Sequence, residues 1–199
     1  MPHWLTAMYL SVRWRSYVPL DCRIYFPFRI KIGPYTRFFG RVTLIADGGI
    51  EIGKSVEIYE GSLLQCQGGS IRIGDETAIG PYVVIYGGGG VRLGTKCSIA
   101  TKCTIVSTNH IYRDTGKPIR DQGFEARPIV LDDDVWLCAG VVVGYGTRLG
   151  RGSIVAANAF IKTDTPPMSI SAGNPAQVVK NRADADIATT PDLTLQRAL

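Results

Sequence analysis

One histidine stands where the sequence changes character. His110 follows Ser107-Thr108-Asn109 and comes just before a polar segment, residues 112–127, that separates two regular parts of the chain. A histidine side chain titrates near neutral pH, so it can take the proton of a hydroxyl group that attacks a carbonyl carbon, an effect worth about 10²–10⁴ in rate. The spacing alone leaves two interpretations open: His110 is a general base, or it is a polar residue that caps a turn.

The sequence supports neither a zinc site nor a disulfide framework. The chain has two histidines, His3 and His110, whereas a catalytic zinc site takes about three protein ligands. Five cysteines are scattered without a Cys-x-x-Cys pair, which argues against both a disulfide framework and a zinc site. We therefore expect that no metal is required and that the cysteines are reduced thiols used as small core residues.

A six-residue repeat must position the chemical groups. Aliphatic side chains recur every six residues, and a small or β-branched side chain usually follows four positions later. Six is a multiple of the two-residue strand period and not of the 3.6-residue helical period, which predicts short strands joined by corners, with three units to each coil of a solenoid. The aliphatic positions, predicted to point inward, are Ile32, Phe38, Leu44, Ile52, Ile58, Leu64, Ile73, Ile79, Ile85, Leu93, Ile99, Ile105, Ile111, Leu131, Leu137, Val143, Leu149, Val155 and Ile161.

The repeat also predicts which side chains leave the core. His110 and Trp136 each come five positions after an inward aliphatic residue, Ile105 and Leu131, so both are expected to point outward. An outward tryptophan needs cover, from a ligand or from a neighbouring subunit.

Interruptions of the repeat predict the irregular parts of the surface. The step lengthens at Gly48-Gly49, at Gly68-Gly69 and over residues 87–90, and these bulged corners are expected to mark one edge of the prism. Between Ile111 and Leu131 the repeat stops, so residues 112–128 are expected to project as a loop, where binding residues concentrate.

The pattern (Ile/Leu/Val)-Gly-x-x-(small)-x, over about residues 30–182, resembles the hexapeptide-repeat acyltransferase family. This resemblance implies a left-handed parallel β-helix and a homotrimer. The stretch around His110, the loop and Leu131-Asp-Asp-Asp-Val-Trp136-Leu-Cys-Ala-Gly140 is similar to the sugar O-acetyltransferases that include the maltose, galactoside and capsular-polysaccharide enzymes. The subgroup's matching histidine is the general base, so the resemblance implies that role for His110.

The end of the repeat is similar to the family's closing signature. It reads Val155-Ala-Ala-Asn-Ala-Phe-Ile-Lys162, followed by Ser171-Ala-Gly-Asn-Pro-Ala-Gln-Val-Val-Lys180. The resemblance implies that acetyl-CoA is the acyl donor and that it is held in a groove between subunits. The cationic side chains of Lys162 and Lys180 would suit the phosphates of the coenzyme. For either lysine alone, a solvated surface position is an equally good interpretation. The predicted substrate- and cofactor-binding residues are Asn109, Trp136, Ala139 and Ala157 (the two alanines through backbone amides), Lys162 and Lys180.

The chain departs from the family pattern at four positions. Asp132 and Cys138 stand where glycine usually follows the aliphatic residue, and Asn158 and Lys162 stand where glycine and threonine are usual. These departures put in doubt the shape of the coenzyme groove and the acyl group that it accepts.

The two ends lie outside the clear repeat. Residues 1–31 are expected to form a basic aromatic cap, because residues 1–41 hold ten of the eighteen aromatic residues and seven basic groups against Asp21 alone. The cap suits peripheral contact with a membrane through residues 1–28, or equally a cover for the core. Residues 183–199 are expected to be a flexible tail and residues 32–182 the β-helix. The start shows neither a signal peptide nor a membrane span, which predicts a cytoplasmic protein that the cap would allow to lie at the membrane surface.

The sequence thus predicts an acetyl-CoA-dependent O-acetyltransferase that modifies a hydroxyl of a sugar or glycan, with no nucleic-acid partner. The alternative on the same fold is an N-acetyltransferase that acts on an antibiotic or an amino sugar. A carbonic-anhydrase-like zinc enzyme fails on the count of histidines, and a purely structural solenoid has no need of the loop or of the closing motif.

Overall fold

The chain folds into a three-sided parallel β-helix, seen in a computed structural model that describes residues 2–184. Each coil contributes one short strand to each of three faces, and equivalent strands of successive coils pair in parallel register, about 4.8 Å apart. Face 1 consists of Arg23–Tyr25, Thr43–Ile45, Leu63–Gln65, Val84–Tyr86, Thr104–Val106, Val142–Val143 and Phe160–Ile161. Face 2 consists of Ile30–Ile32, Ile50–Ile52, Ile71–Ile73, Val91–Leu93, Ile129–Leu131 and Arg148–Leu149. Face 3 consists of Arg37–Phe39, Glu57–Tyr59, Ala78–Ile79, Ser98–Ile99, Trp136–Leu137, Ile154–Val155, Ser169–Gly173 and Ala176–Asn181.

Other elements cap or interrupt the stack. Helix α1, His3–Trp14, contacts the first strands of faces 1 and 2, and an antiparallel pair, Thr108–His110 with Phe124–Ala126, stands apart from the three faces. Three short 3-10 helices span Pro27–Arg29, Ile119–Gln122 and Arg182–Asp184.

The structure confirms the predicted fold class, including which side chains of the repeat point into the core. Every aliphatic position of the six-residue repeat except Ile111 is buried. The small or β-branched residues four positions later are buried as well, and their hydroxyl groups bond to the next coil: Ser62 Oγ donates to the Gly80 carbonyl (2.9 Å) and Thr77 Oγ1 to the Gly94 carbonyl (2.9 Å). A hydroxyl can therefore occupy a corner of the core without an unpaired polar group.

The glycine-rich corners lie on one edge, as predicted. They join face 1 to face 2, and we call this the loop edge, comprising residues 46–49, 66–69, 87–90, 107–128, 144–147 and 162–164. A Cβ atom on Gly48 would come within 1.7 Å of the Gly69 carbonyl oxygen, and one on Gly69 within 2.1 Å of the Gly87 oxygen. Backbone approaches of this kind admit only glycine.

Two of the predicted boundaries differ from the structure. The β-helix begins at Arg23 and not at residue 32, because Arg23–Tyr25 already pairs in parallel with Thr43–Ile45. The loop begins at Thr108 and not at residue 112: the chain leaves the stack after Ser107, and Ile111 lies half-buried outside the core.

The closing motif turns the last two strands back on each other. Gly173-Asn174-Pro175-Ala176, with a cis bond before the proline, links Ser169–Gly173 to Ala176–Asn181 in an antiparallel hairpin on face 3. This pair ends the parallel stack. The predicted tail lies, from residue 185 onward, outside the described residues.

The cysteines are free thiols, of which four are buried and Cys138 is half-buried. Burial raises the pKa of Cys22 and of Cys103 to about 11. An unfolded chain releases these protons at about pH 8.5–9, so stability present at neutral pH is lost as the pH rises toward 11.

We expect the free energy of unfolding, measured with urea, to fall between pH 8.5 and 10.5, and Cys103→Ala to reduce that fall. Cys138→Ala is the matched control, because the Cys138 side chain is less buried. Equal pH slopes for the wild type and Cys103→Ala would show that this thiol does not control the alkaline loss.

Candidate active site

His110 lies on a two-stranded ribbon that projects from the loop edge. Thr108–His110 pairs with Phe124–Ala126, with His110 opposite Phe124 and Asn109 opposite Glu125. Side chains alternate along a strand. Thr108, His110, Phe124 and Ala126 therefore share one side of the ribbon, and Asn109 and Glu125 share the other.

The imidazole is exposed and rests on an aromatic ring. The centroids of the His110 and Phe124 rings are 4.2 Å apart, with 42° between their planes. The His110 ring makes no hydrogen bond to any group within residues 2–184. Both ring nitrogens thus remain available to a ligand.

A cleft of about 370 Å³ adjoins the same side of the ribbon. It is lined by Gln67, Gly88, Thr108, Phe124 and Ala126. Its floor is the bulged corner of the loop edge, where a Cβ atom on Gly88 would come within 2.5 Å of Thr108 Cγ2. The glycine therefore admits the Thr108 side chain, which lines the cleft.

Charged residues hold the other side of the ribbon to the next coil. Tyr145 Oη donates a hydrogen bond to Glu125 Oε1 (2.9 Å), and Arg113 and Arg127 lie 3.7 and 3.8 Å from the same carboxylate. Asn109 faces this side and not the imidazole. The Glu125 group thus fixes the ribbon, and it does not bond the His110 ring.

Trp136 lies on face 3, away from the ribbon. Its side chain is 47% exposed and stands in register between Ser98 and Ile154 of the neighbouring coils. The outward direction agrees with the prediction. Within one chain the indole and the imidazole belong to different sides of the prism.

Ala139 and Ala157 lie on the edge between faces 3 and 1, which we call the amide edge. Each precedes a residue with positive φ, Gly140 (72°) or Asn158 (58°), and the Asn158 amide donates to the Ala139 carbonyl (2.9 Å). The amides of Ala139 and Ala157 themselves donate to no group within residues 2–184. Asparagine tolerates this conformation, so the departure at position 158 keeps the corner and adds an exposed amide side chain.

The two lysines are exposed and lie apart. Lys162 follows the last strand of face 1, on the loop edge, two coils beyond the ribbon. Lys180 lies in the final hairpin, opposite Ile170. The chain therefore brings His110, Asn109 and Lys162 to the loop edge, and it places Trp136, Ala139, Ala157 and Lys180 elsewhere.

Sequence reasoning missed the residues that surround His110. Phe124 and Glu125 share one strand, and Gln67 and Tyr145 reach the ribbon from two other segments. The alternation of side chains places Thr108 and His110 on the same side of a strand, and this was visible in the sequence. The register of the ribbon was not, because it pairs His110 with Phe124, fourteen residues later.

Comparison with known proteins agrees with the fold. A protein of Mycobacterium tuberculosis that is named as an acetyltransferase is 35% identical to this chain over 133 residues. These residues cover 67% of this chain and 44% of that protein. A protein named as a colanic acid biosynthesis acetyltransferase of Escherichia coli is 27% identical over 153 residues, 77% of this chain and 81% of that protein. The chain thus spans less than half the length of the first of these relatives.

Solved structures show the same architecture. A hexapeptide-repeat acetyltransferase from Vibrio cholerae matches with 32% identity and a TM-score of 0.54, over 57% of this chain and 64% of that one. A polySia-specific acetyltransferase matches with a TM-score of 0.66 at 22% identity, over 87% and 82%. An N-acyltransferase from Bacillus cereus, solved with dTDP and coenzyme A, matches with a TM-score of 0.55 at 18% identity, over 81% and 78%.

The chain is thus similar in sequence and in fold to acetyltransferases, one of which is described as containing the hexapeptide repeat. No family model matches the chain. The two matches below 25% identity carry the fold alone. Within residues 2–184, every helix is too short or too polar to form a transmembrane span.

Proposed function

We propose that this protein is an O-acetyltransferase that moves an acetyl group from acetyl-CoA to a hydroxyl of a sugar or glycan, with His110 as general base. The single observation that carries the proposal is the exposed His110 ring beside the cleft of the loop edge. A hydroxyl acceptor in that cleft would present its proton to a ring nitrogen that no protein group occupies.

The acceptor class follows from the lining of the cleft. Phe124 offers an aromatic surface that suits the apolar face of a sugar ring, and Gln67 and Thr108 offer hydrogen-bonding groups for its hydroxyls. The E. coli relative is named for colanic acid biosynthesis, and one solved structure of the same fold is named as a polySia-specific acetyltransferase. Both facts favour a sugar or glycan over an apolar acceptor.

The donor site requires a second subunit in this proposal. The free amides of Ala139 and Ala157 lie on the amide edge, whereas His110 lies on the loop edge, so one chain cannot bring them to one ligand. In a cyclic trimer each subunit meets its neighbours through two different surfaces. A homotrimer that sets the amide edge of one subunit against the loop edge of the next would complete the site and cover Trp136.

His110 would perform the proton transfers of the reaction. It takes the proton from the acceptor hydroxyl as that oxygen bonds to the thioester carbon, and it returns the proton to the sulfur as the carbon–sulfur bond breaks. A free backbone amide on the amide edge would donate to the carbonyl oxygen as negative charge develops there. Lys162 and Lys180 would lie near the phosphates of coenzyme A, and no step needs a metal.

The second candidate keeps the fold and the donor and changes the acceptor atom to nitrogen. Its support is that the B. cereus protein with the same β-helix is named as an N-acyltransferase. Its acceptor would be an amino sugar or an antibiotic. We propose a cytoplasmic location for either reaction, because the five cysteines are unpaired thiols.

A coenzyme A release assay tests the proposal. Purified protein is incubated with acetyl-CoA and a panel of sugars, nucleotide sugars, amino sugars and antibiotics, in matched pairs that differ in a single hydroxyl or amino group. We expect release with hydroxyl acceptors and a product whose ester is cleaved by mild base. Release confined to amino acceptors, with a base-stable product, would establish the N-acetyltransferase instead.

A further inference from the structure

Helix α1 is apolar on both of its sides. Thr6, Ala7 and Leu10 face the first coil and are buried. The opposite side carries Trp4, Met8, Tyr9 and Val12, and the Val12 side chain is 78% exposed. A helix with two apolar sides needs cover on both, and the described residues cover one.

The exposed side continues onto the first coil of the β-helix. The rings of Tyr9 and Phe28 are 6.4 Å apart in an edge-on arrangement, and Phe28 is 84% exposed. We define the amino-terminal patch as Trp4, Met8, Tyr9, Val12 and Phe28. It lies at the end of the stack, beyond the first strands of faces 1 and 2, where no further coil formed by residues 2–184 covers it.

Basic residues lie next to this patch in the chain, at the end of helix α1 and beside Phe28. Arg13 packs over the Trp14 ring at 4.6 Å, and it and Arg15 have no acidic partner within residues 2–184. Arg29 donates to the backbone carbonyl of Asp47, which leaves its charge uncompensated. Lys31 pairs with Glu51 at 3.2 Å, in an exposed pair that water screens.

The charge of the region distinguishes between two partners that could cover the patch, a second copy of the chain and a negatively charged surface. Helix α1 contains no acidic residue, and Asp21 is the single acidic residue of the first 41. A second copy of the patch would bring the same arginines together, and like charges at an interface oppose association. A surface with negative charge above an apolar layer fits both the arginines and the apolar side chains.

We infer that the amino-terminal patch docks on an anionic lipid surface, with helix α1 lying in the plane of the interface. Met8, Val12 and Phe28 enter the boundary of the acyl chains, and Trp4 and Tyr9 suit the level of the headgroups. Arg13, Arg15 and Arg29 contact the headgroup phosphates, each contributing about fivefold in affinity.

Sedimentation of the full chain with vesicles tests this inference. Phosphatidylcholine vesicles are compared with vesicles that also contain phosphatidylglycerol. We expect the protein to sediment with the anionic vesicles, Val12→Asp to lower the partition coefficient by at least about tenfold and Arg13→Gln by about fivefold. Val179→Asp is the matched control, since Val179 is 62% exposed in the final hairpin, far from the patch.

Each other outcome overturns the inference. It fails if the two kinds of vesicle recover equal amounts of protein, or if Val12→Asp sediments like the wild type. Sedimentation velocity without lipid tests the alternative cover. If the wild type forms an assembly that becomes smaller in Val12→Asp, a second copy of the chain covers the patch. Thermal unfolding of each variant verifies its fold, and vesicle binding needs no acyl transfer, so it is independent of the proposed function.

Discussion

His110→Ala is expected to lower the turnover of acetyl transfer by at least about 10²-fold, because it removes the proposed general base beside the cleft. The side chain is exposed and touches the fold mainly through the Phe124 ring. The variant is therefore expected to unfold at nearly the wild-type temperature. Coenzyme A release, with an acceptor found in the panel, measures the turnover.

A shape-preserving variant separates base catalysis from the loss of ring packing. His110→Asn keeps a polar planar group on Phe124 and lacks a basic nitrogen, so we expect the same loss of turnover. Affinity for coenzyme A, measured by calorimetry, is expected to stay within about twofold, since the proposed donor contacts do not include His110. Turnover within a few fold of the wild type in both variants would remove His110 from the mechanism.

Ile105→Ala is expected to lower the free energy of unfolding by about 2–5 kcal/mol, the usual cost of emptying a filled core position. Ile105 is fully buried and pairs in register with Ile85 and Val143 of the coils on either side. The cavity would thus face two further coils. Urea unfolding followed by circular dichroism measures the loss.

Ile111→Ala is the matched control for that substitution. It removes the same atoms, six residues further along the same repeat, but Ile111 lies half-buried on the loop and outside the core. We expect its cost to remain below about 1 kcal/mol. Equal losses for the two variants would mean that Ile111 packs in the stack, against the structure described above.

The candidate site was predictable only in part. His110 and Trp136 were expected outward because each comes five positions after an inward residue of the six-residue repeat, and both are exposed. The partners of His110 could not be foreseen in the same way. Phe124 meets it through an antiparallel register, and Gln67 reaches the adjoining cleft through the stacking of coils, both of which join residues distant in sequence.

The sequence alone determined the inward half of this protein. An aliphatic residue every six positions, with a small residue at each corner, is a local rule, and burial follows it from Ile32 to Ile161 because each strand alternates its side chains. Only the tertiary structure decided where the rule stops. Ile111 keeps the period and still leaves the core, because the chain pairs there with Phe124–Ala126 and not with the coil before it. The separation of His110 from the amides of Ala139 and Ala157 was also invisible in the sequence, since it depends on which edge of the prism each residue occupies.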